Sequence, residues 1–278
     1  MRRYLDPKND LVFKRIFGEH KHLCISLLNN MLPFDADSQI VDIEYQTTEL
    51  APDRKEFRHS VVDVRCTDNF GRQFLVEMQI QWTKSFHSRV LFNASKAYSR
   101  QLDINEDYEY LQPVYALSFL NANMDDSADY YHHYKILDID DNTKQIKGME
   151  FVFIELKKFQ PTNRGDKKLH ELWLRFLTEV GEKTKQISDD LLVEATIKEA
   201  ISYAEVMGYS EEQLAMYDKY IDSIRCEKSL LSAARKEGFA KGTVDTQRSI
   251  AMNLLKSGIA IEIVSQSTGL SIDEIHNL

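Results

Sequence analysis

Cysteine is scarce in this chain of 278 residues, and the three present do not form a pattern. Cys24, Cys66 and Cys226 are odd in number, far apart and without a Cys-x-x-Cys spacing, which excludes a disulfide scaffold and a zinc or redox cysteine motif. The expectation is three reduced thiols in a cytoplasmic protein. Positive charge is not in excess either. With 35 Lys and Arg against 44 Asp and Glu, the formal net charge is -9, so a uniformly basic protein that coats nucleic acid is excluded and only a local basic face remains open. No run approaches the roughly 18 apolar residues of a membrane span, and no signal-like apolar stretch follows Arg2 and Arg3, so neither a membrane nor export is expected. Repeats and low-complexity segments are also lacking. What is plentiful is apolar and aromatic content: 43% hydrophobic residues, with 13 Tyr and 14 Phe, too much for a disordered chain and enough for a core that needs no staples.

Hydrophobic periodicity orders the chain. From Asp10, apolar residues recur at three- and four-residue spacing through Met31 and stop at Pro33, with Gly18 expected to split the run into two helices. Near 40–48, 58–67 and 73–81 the period becomes two, which predicts an antiparallel meander turning at residues 69–72. Residues 84–103 are again helical, 113–120 and 151–156 have the length of buried strands, and 121–148 is acidic and turn-rich. Beyond Pro161 helical periodicity dominates. A boundary is therefore expected near 160–166, dividing a mixed α/β region, residues 1–162, from an all-helical region, residues 163–278. Within the latter, Gly238, Gly242, Gly258 and Gly269 are expected to punctuate short helices, the last two forming a helix-turn-helix-like tail near 246–278.

The meander carries the chemistry. Asp63 interrupts the apolar Val61-Val62-Asp63-Val64-Arg65, and Glu77 and Gln79 interrupt Phe74-Leu75-Val76-Glu77-Met78-Gln79-Ile80. Alternation places Glu77 and Gln79 on one face of their strand, and pairing through the turn brings Asp63 toward Glu77. Two buried carboxylates are costly unless a cation neutralises them, and a divalent metal with hard oxygen ligands is the simplest such cation. The same alternation fits half-exposed strands whose acids face solvent; spacing alone leaves both readings open.

Asp63 and Glu77-Met78-Gln79, preceded by Asn9-Asp10-Leu11-Val12-Phe13-Lys14-Arg15-Ile16-Phe17-Gly18 and followed by Arg89, Ala97-Tyr98, Gln101-Leu102, Tyr110-Leu111-Gln112-Pro113-Val114-Tyr115 and Glu155-Leu156-Lys157-Lys158-Phe159, resemble the PD-(D/E)XK nuclease family transposases, also called the recombination-promoting nuclease (Rpn) family. The tail, with Ile250-Ala251, Gly258 and Thr268-Gly269-Leu270-Ser271, is similar to that of many members. The resemblance implies an α/β fold, with a restriction-endonuclease-like core of mixed β-sheet flanked by helices in residues 1–162, plus an all-α C-terminal region. It implies a metal-dependent DNA endonuclease that hydrolyses phosphodiester bonds with Mg²⁺ or another divalent metal. Asp63, Glu77 and the Met78 carbonyl would hold the metal, Gln79 would assist the water in place of the usual lysine, and Asp10 would be an outer acid. Val62 stands where the motif has proline, and Gln79 cannot carry a lysine's charge. The rival reading is a catalytically weak nuclease fold acting as a DNA- or protein-binding module.

Arg89, Asn93, Lys96 and Arg100 share one face of the helix at 84–103, giving an expected basic outer face for DNA phosphates; a merely solvated charged face has the same pattern. In the tail, the would-be recognition segment 271–278 has two acids and no Lys or Arg. It is therefore expected to pack or to self-associate as a homo-oligomer, through Ile272, Ile275 and Leu278, rather than to read bases. Adjacent His132 and His133 should point to opposite faces of a strand and share no metal. The stretch 235–242 lacks the order of an ATP-binding phosphate loop.

Overall fold

A computed structural model describes residues 3–50, 60–80, 82–102, 106–161 and 168–278. Residues 58, 59, 81 and 103, at the ends of expected elements, and residues 162–167, at the expected boundary, lie outside the described residues. Two compact units are present, Met1–Glu211 and Glu212–Leu278.

The first unit opens with α1 (Asp10–Phe17) and α2 (Lys21–Met31), separated at Gly18 as the periodicity predicts. Asn9 caps α1, its Oδ1 accepting the Leu11 N–H at 2.9 Å, so the helix starts at a defined residue with Asp10 in its first turn. The strands β1 (Ile43–Tyr45), β4 (Val64–Asp68), β5 (Gln73–Gln79), β6 (Val114–Leu120), β7 (Tyr131–Leu137) and β8 (Gln145–Glu155) form one mixed sheet in the order β1-β4-β5-β6-β8-β7. A separate antiparallel pair joins β2 (Glu49–Leu50) to β3 (Ser60–Val61). β4 runs antiparallel to β1 and β5, whereas β5, β6 and β8 are parallel, so the expected meander passes into a parallel core through α3 (Phe86–Ser99). The β4–β5 turn is set by Asp68, whose Oδ1 accepts the Phe70 and Arg72 N–H groups at 3.0 and 2.9 Å, and by Gly71 at φ 79°.

Two layers of helix cover this sheet. α3 lies on one face, where Ala94 and Ala97 pack with Leu75 and Val114, and Phe86 and Val90 with Ala116, Leu120 and Phe153. On the other, the ring of Phe13 meets Phe119 at 6.3 Å between centroids. The segment 121–148 is more regular than expected, since β7 and the start of β8 form an antiparallel pair within it. β7 is an edge strand with largely exposed side chains, so it needs no apolar run to form.

The change of texture near residue 162 marks the end of the strands rather than the end of the compact unit. α4 (Lys168–Glu179) packs against α2, α6 (Ala195–Tyr203) against both α1 and α2, and α5 (Asp189–Val193) against α4 and α6. The fully buried Trp173 donates its indole N–H to Ser26 Oγ at 3.1 Å and lies 5.4 Å from the Phe17 ring. Lys8 Nζ donates to the Leu177 carbonyl at 2.8 Å, and the Leu5 N–H to that of Ala204 at 2.8 Å. Helices from both sides of the expected boundary thus share one core.

The second unit corrects another expectation. Gly238 and Gly242 do not end helices; both lie within α7 (Glu211–Lys256). Glycine disfavours a helix interior by only about 1 kcal/mol, which a long run of hydrogen bonds absorbs. Gly258 and Gly269, at φ 79° and 73°, do break the chain, and α8 (Ile261–Thr268) and α9 (Ile272–His276) follow. Val264, Leu270 and Ile275 close with Ala251 into a small core, and Ser271 with Glu274 makes a capping box at the start of α9. The expected seam is divided: Ile275 enters this core, whereas Ile272 and Leu278 remain exposed. Among the described residues no helix is long and apolar enough to cross a membrane.

Candidate active site

The acids gather where β4 meets the C-terminal half of β5. The ladder pairs Val64 with Val76, and one step beyond it Asp63 Oδ2 accepts the Met78 N–H at 2.6 Å, taking the place of a further strand bond. Asp10, at the start of α1, reaches the same point, and its carboxyl lies within hydrogen-bond reach of Asp63. Burial first, then the neighbouring Asp10 charge, push the Asp63 carboxyl up to about 7, although the Met78 N–H and Lys14 pull the other way. Lys14, one turn after Asp10, has its Nζ 2.8 Å from Asp10 Oδ1 and 4.0 Å from Asp63 Oδ1.

Glu77 is 7% exposed and is held from the α3 side. Asn93 Nδ2 donates to its Oε1 at 2.9 Å, and Arg89 Nη2 approaches its Oε2 at 3.3 Å. The same Arg89 nitrogen donates to Gln79 Oε1 at 2.6 Å, so Glu77 and Gln79 share a face as alternation requires. Burial raises the Glu77 carboxyl, against the opposing pull of Arg89 and Asn93. In the next strand Ser118 sits in register with Glu77, buried, with an Oγ that makes no hydrogen bond.

The helix face carrying Arg89, Asn93, Lys96 and Arg100 is therefore outer only in part. Asn93 is 1% exposed and braces Glu77, Arg89 leans over the acids with its side chain half exposed, and Leu91 and Phe92 take the outward positions. A spacing of seven and four fixes that residues share a face without fixing what the face meets. Lys96 Nζ lies 4.6 Å above the Phe92 ring, and the Arg100 charge, after burial, lowers the Arg65 guanidinium. Gln101 clamps the backbone of Gln112 with two 2.8 Å bonds and so supports the fold. His132 and His133 bond separately to Glu155 and Glu150, on opposite faces.

Among the described residues, no three of His, Cys, Asp and Glu converge as a preformed metal cage. The donor chemistry nevertheless fits a hard divalent cation. Asp10 Oδ1 is buried beside the Lys14 ammonium, Asp63 and Asp10 crowd like charges, and Glu77 lies on the neighbouring strand β5, engaged by Arg89 and Asn93. Neither Lys14 nor the bracing role of Asn93 was read from the sequence. The i,i+4 spacing of Asp10 and Lys14 was visible there, but it is common to many helix surfaces.

The raised Asp63 carboxyl has a consequence for stability. A carboxyl whose folded value exceeds its ordinary value of about 4 keeps a proton in the folded chain that the unfolded chain has lost, so stability falls as pH rises from about 4 to 7 and stays lowered above that window. Asp63→Asn, which keeps an acceptor for the Met78 N–H, is expected to be more stable than the parent at pH 8 in chelator, by at most about 4 kcal/mol, and equal to it below pH 4. Urea titrations at both pH values check this; equal midpoints at pH 8 would remove the strain assigned to this carboxyl.

The profile described as PD-(D/E)XK nuclease family transposase matches residues 7–234. That of the Rpn/YhgA-like nuclease family C-terminal HTH domain matches residues 245–278, the segment spanning the end of α7, α8 and α9. Neither a curated protein nor a solved structure matches the chain. With the first profile spanning most of the chain and the mixed sheet agreeing with it, this protein belongs to the PD-(D/E)XK nuclease family transposases, in their Rpn-like form with a C-terminal helix-turn-helix.

Proposed function

We propose that the protein is a divalent-metal-dependent DNA endonuclease, using Mg²⁺, that hydrolyses phosphodiester bonds by attack of water. The observation that carries this reading is the Asp10–Asp63 pair crowded at the start of β4, one strand from Glu77, Met78 and Gln79. Asp63, Glu77 and the Met78 carbonyl would hold the cation, which when bound would supply Lewis-acid activation and charge neutralisation at the phosphate. Gln79 orients the attacking water through its amide, and Asp10 acts as the outer acid that aligns it. Arg89, Lys96 and Arg100 track the DNA backbone, while Asn93 fixes the carboxylate of Glu77. The C-terminal helix-turn-helix adds a second DNA contact; its acidic α9 suits it to packing or self-association more than to base reading. The protein works in the cytoplasm.

The test is cleavage of supercoiled, linear and single-stranded DNA across a series of Mg²⁺, Mn²⁺ and Ca²⁺ concentrations, with chelator as control. Nicked or linear product with Mg²⁺ or Mn²⁺ is expected; DNA binding without strand breaks under every condition would leave a nuclease-fold binding module instead. Reversing the charges of Arg89, Lys96 and Arg100 to Glu should weaken DNA binding and flatten its salt dependence. Unaltered binding would take the track off this helix.

A further inference from the structure

Gln79 ends the acidic motif of β5, so that strand brings no ammonium to the acids it helps to assemble. Its amide oxygen is already taken by Arg89 Nη2 at 2.6 Å. A positive charge is present all the same, and it arrives from the opposite face of the sheet. Lys14 projects from α1 with its Nζ 2.8 Å from Asp10 Oδ1 and 4.0 Å from Asp63 Oδ1.

An ordinary i,i+4 pair on a helix surface joins two residues of one helix and contributes little. Lys14 differs in reaching a second carboxylate, that of Asp63 on another element, at a place where two acids crowd. Its base is fixed: Val12, Phe13, Ile16 and Phe17 are buried, and Asn9 caps the helix start. Its head is partly open to solvent, at 38% side-chain exposure, so it can meet a substrate as well as the acids. Arg89 is less suited to this place, because its Nη2 is committed to Glu77 and Gln79 on the α3 side.

We propose that Lys14 is the ammonium of this active site, standing in from α1 for the lysine absent at position 79 and neutralising the reacting phosphate beside Asp63. The proposal rests on the endonuclease reading above. Hydrolysis forms a bond from the water oxygen to phosphorus, the water giving up a proton to solvent, and breaks the bond to the leaving oxygen, which takes up a proton from solvent; negative charge gathers on the phosphoryl oxygens meanwhile. An ammonium held at that point lowers the barrier without releasing a proton of its own. In the absence of DNA and metal the same ammonium balances Asp10 and Asp63.

Three variants test it in the full chain: Lys14→Ala, Lys14→Arg and the double variant Lys14→Ala with Gln79→Lys. Each is measured by thermal melting, by Mn²⁺ titration without DNA, by DNA binding in Ca²⁺ and by single-turnover plasmid cleavage in Mg²⁺. Lys14→Ala is expected to melt like the parent, bind Mn²⁺ as tightly or more tightly because a competing cation is gone, and lose about a hundred-fold or more in cleavage rate. Lys14→Arg keeps part of the rate, and the double variant recovers at least about ten-fold over Lys14→Ala. Parental cleavage by Lys14→Ala would overturn the proposal while leaving the endonuclease reading intact, as would a cleavage loss fully matched by a loss of Mn²⁺ affinity. A double variant as inactive as Lys14→Ala, with Lys14→Arg equally inactive, would also overturn it. An inactive parent protein would overturn both readings together.

Discussion

Glu77→Ala is expected to give a folded protein that no longer cuts DNA, with a rate loss of about a thousand-fold or more. The carboxylate is 7% exposed, is aimed by Asn93 and Arg89, and on the proposed reading is one of two acidic side chains that hold the cation. Stability should change little. Asn93 and Arg89 lose this acceptor, at about 1–2 kcal/mol, but the chain is also relieved of a carboxylate that burial disfavours. Glu77→Gln is the sharper variant, because its amide oxygen can still accept from Asn93 while the charge is gone. Single-turnover cleavage beside a thermal melt decides the matter. Activity within about ten-fold of the parent in both variants would take Glu77 out of the chemistry.

A chain ending at residue 162 is expected not to fold, although every acid of the site lies before that point. α1, which carries Asp10 and Lys14, packs against α6, and its Phe17 meets the fully buried Trp173 of α4. In the full chain, Trp173→Ala should cost about 3–5 kcal/mol, a large share of the 5–15 kcal/mol that stabilises an ordinary domain. Urea unfolding followed by circular dichroism measures both. A cooperative transition for the 162-residue chain at the parental midpoint would show that α4–α6 are an appendage. If they are part of the core, Trp173→Ala should also lower cleavage near its melting range, because loosening α1 displaces Asp10 from Asp63.

Much of the site was legible because its parts lie in short, strongly patterned segments. Alternation alone set Glu77 and Gln79 on one face of β5, and the polar turn between Asp68 and Gln73 set Val64 opposite Val76, one residue from Asp63 and from Glu77. Gly18, Gly258 and Gly269 broke helices where periodicity placed the breaks. Gly238 and Gly242 did not, since a glycine only weakens a helix, and whether the break occurs depends on the bonds on either side.

Arg89, Asn93, Lys96 and Arg100 show the limit most clearly. Their common face follows from helical geometry, and the sequence determines it, along with the helix-strand order, the acidic motif in β5 and the absence of a lysine at its end. Whether that face meets solvent or a buried carboxylate is a matter of where α3 docks on the sheet, and only the tertiary structure decided it by burying Asn93 against Glu77. The approach of Lys14 to Asp63, the contact of Asp10 with the same carboxyl and the docking of α4–α6 on α1 and α2 belong to the same class. Each joins elements remote in sequence, and periodicity, which is a property of neighbouring residues, is blind to which faces long-range packing brings together.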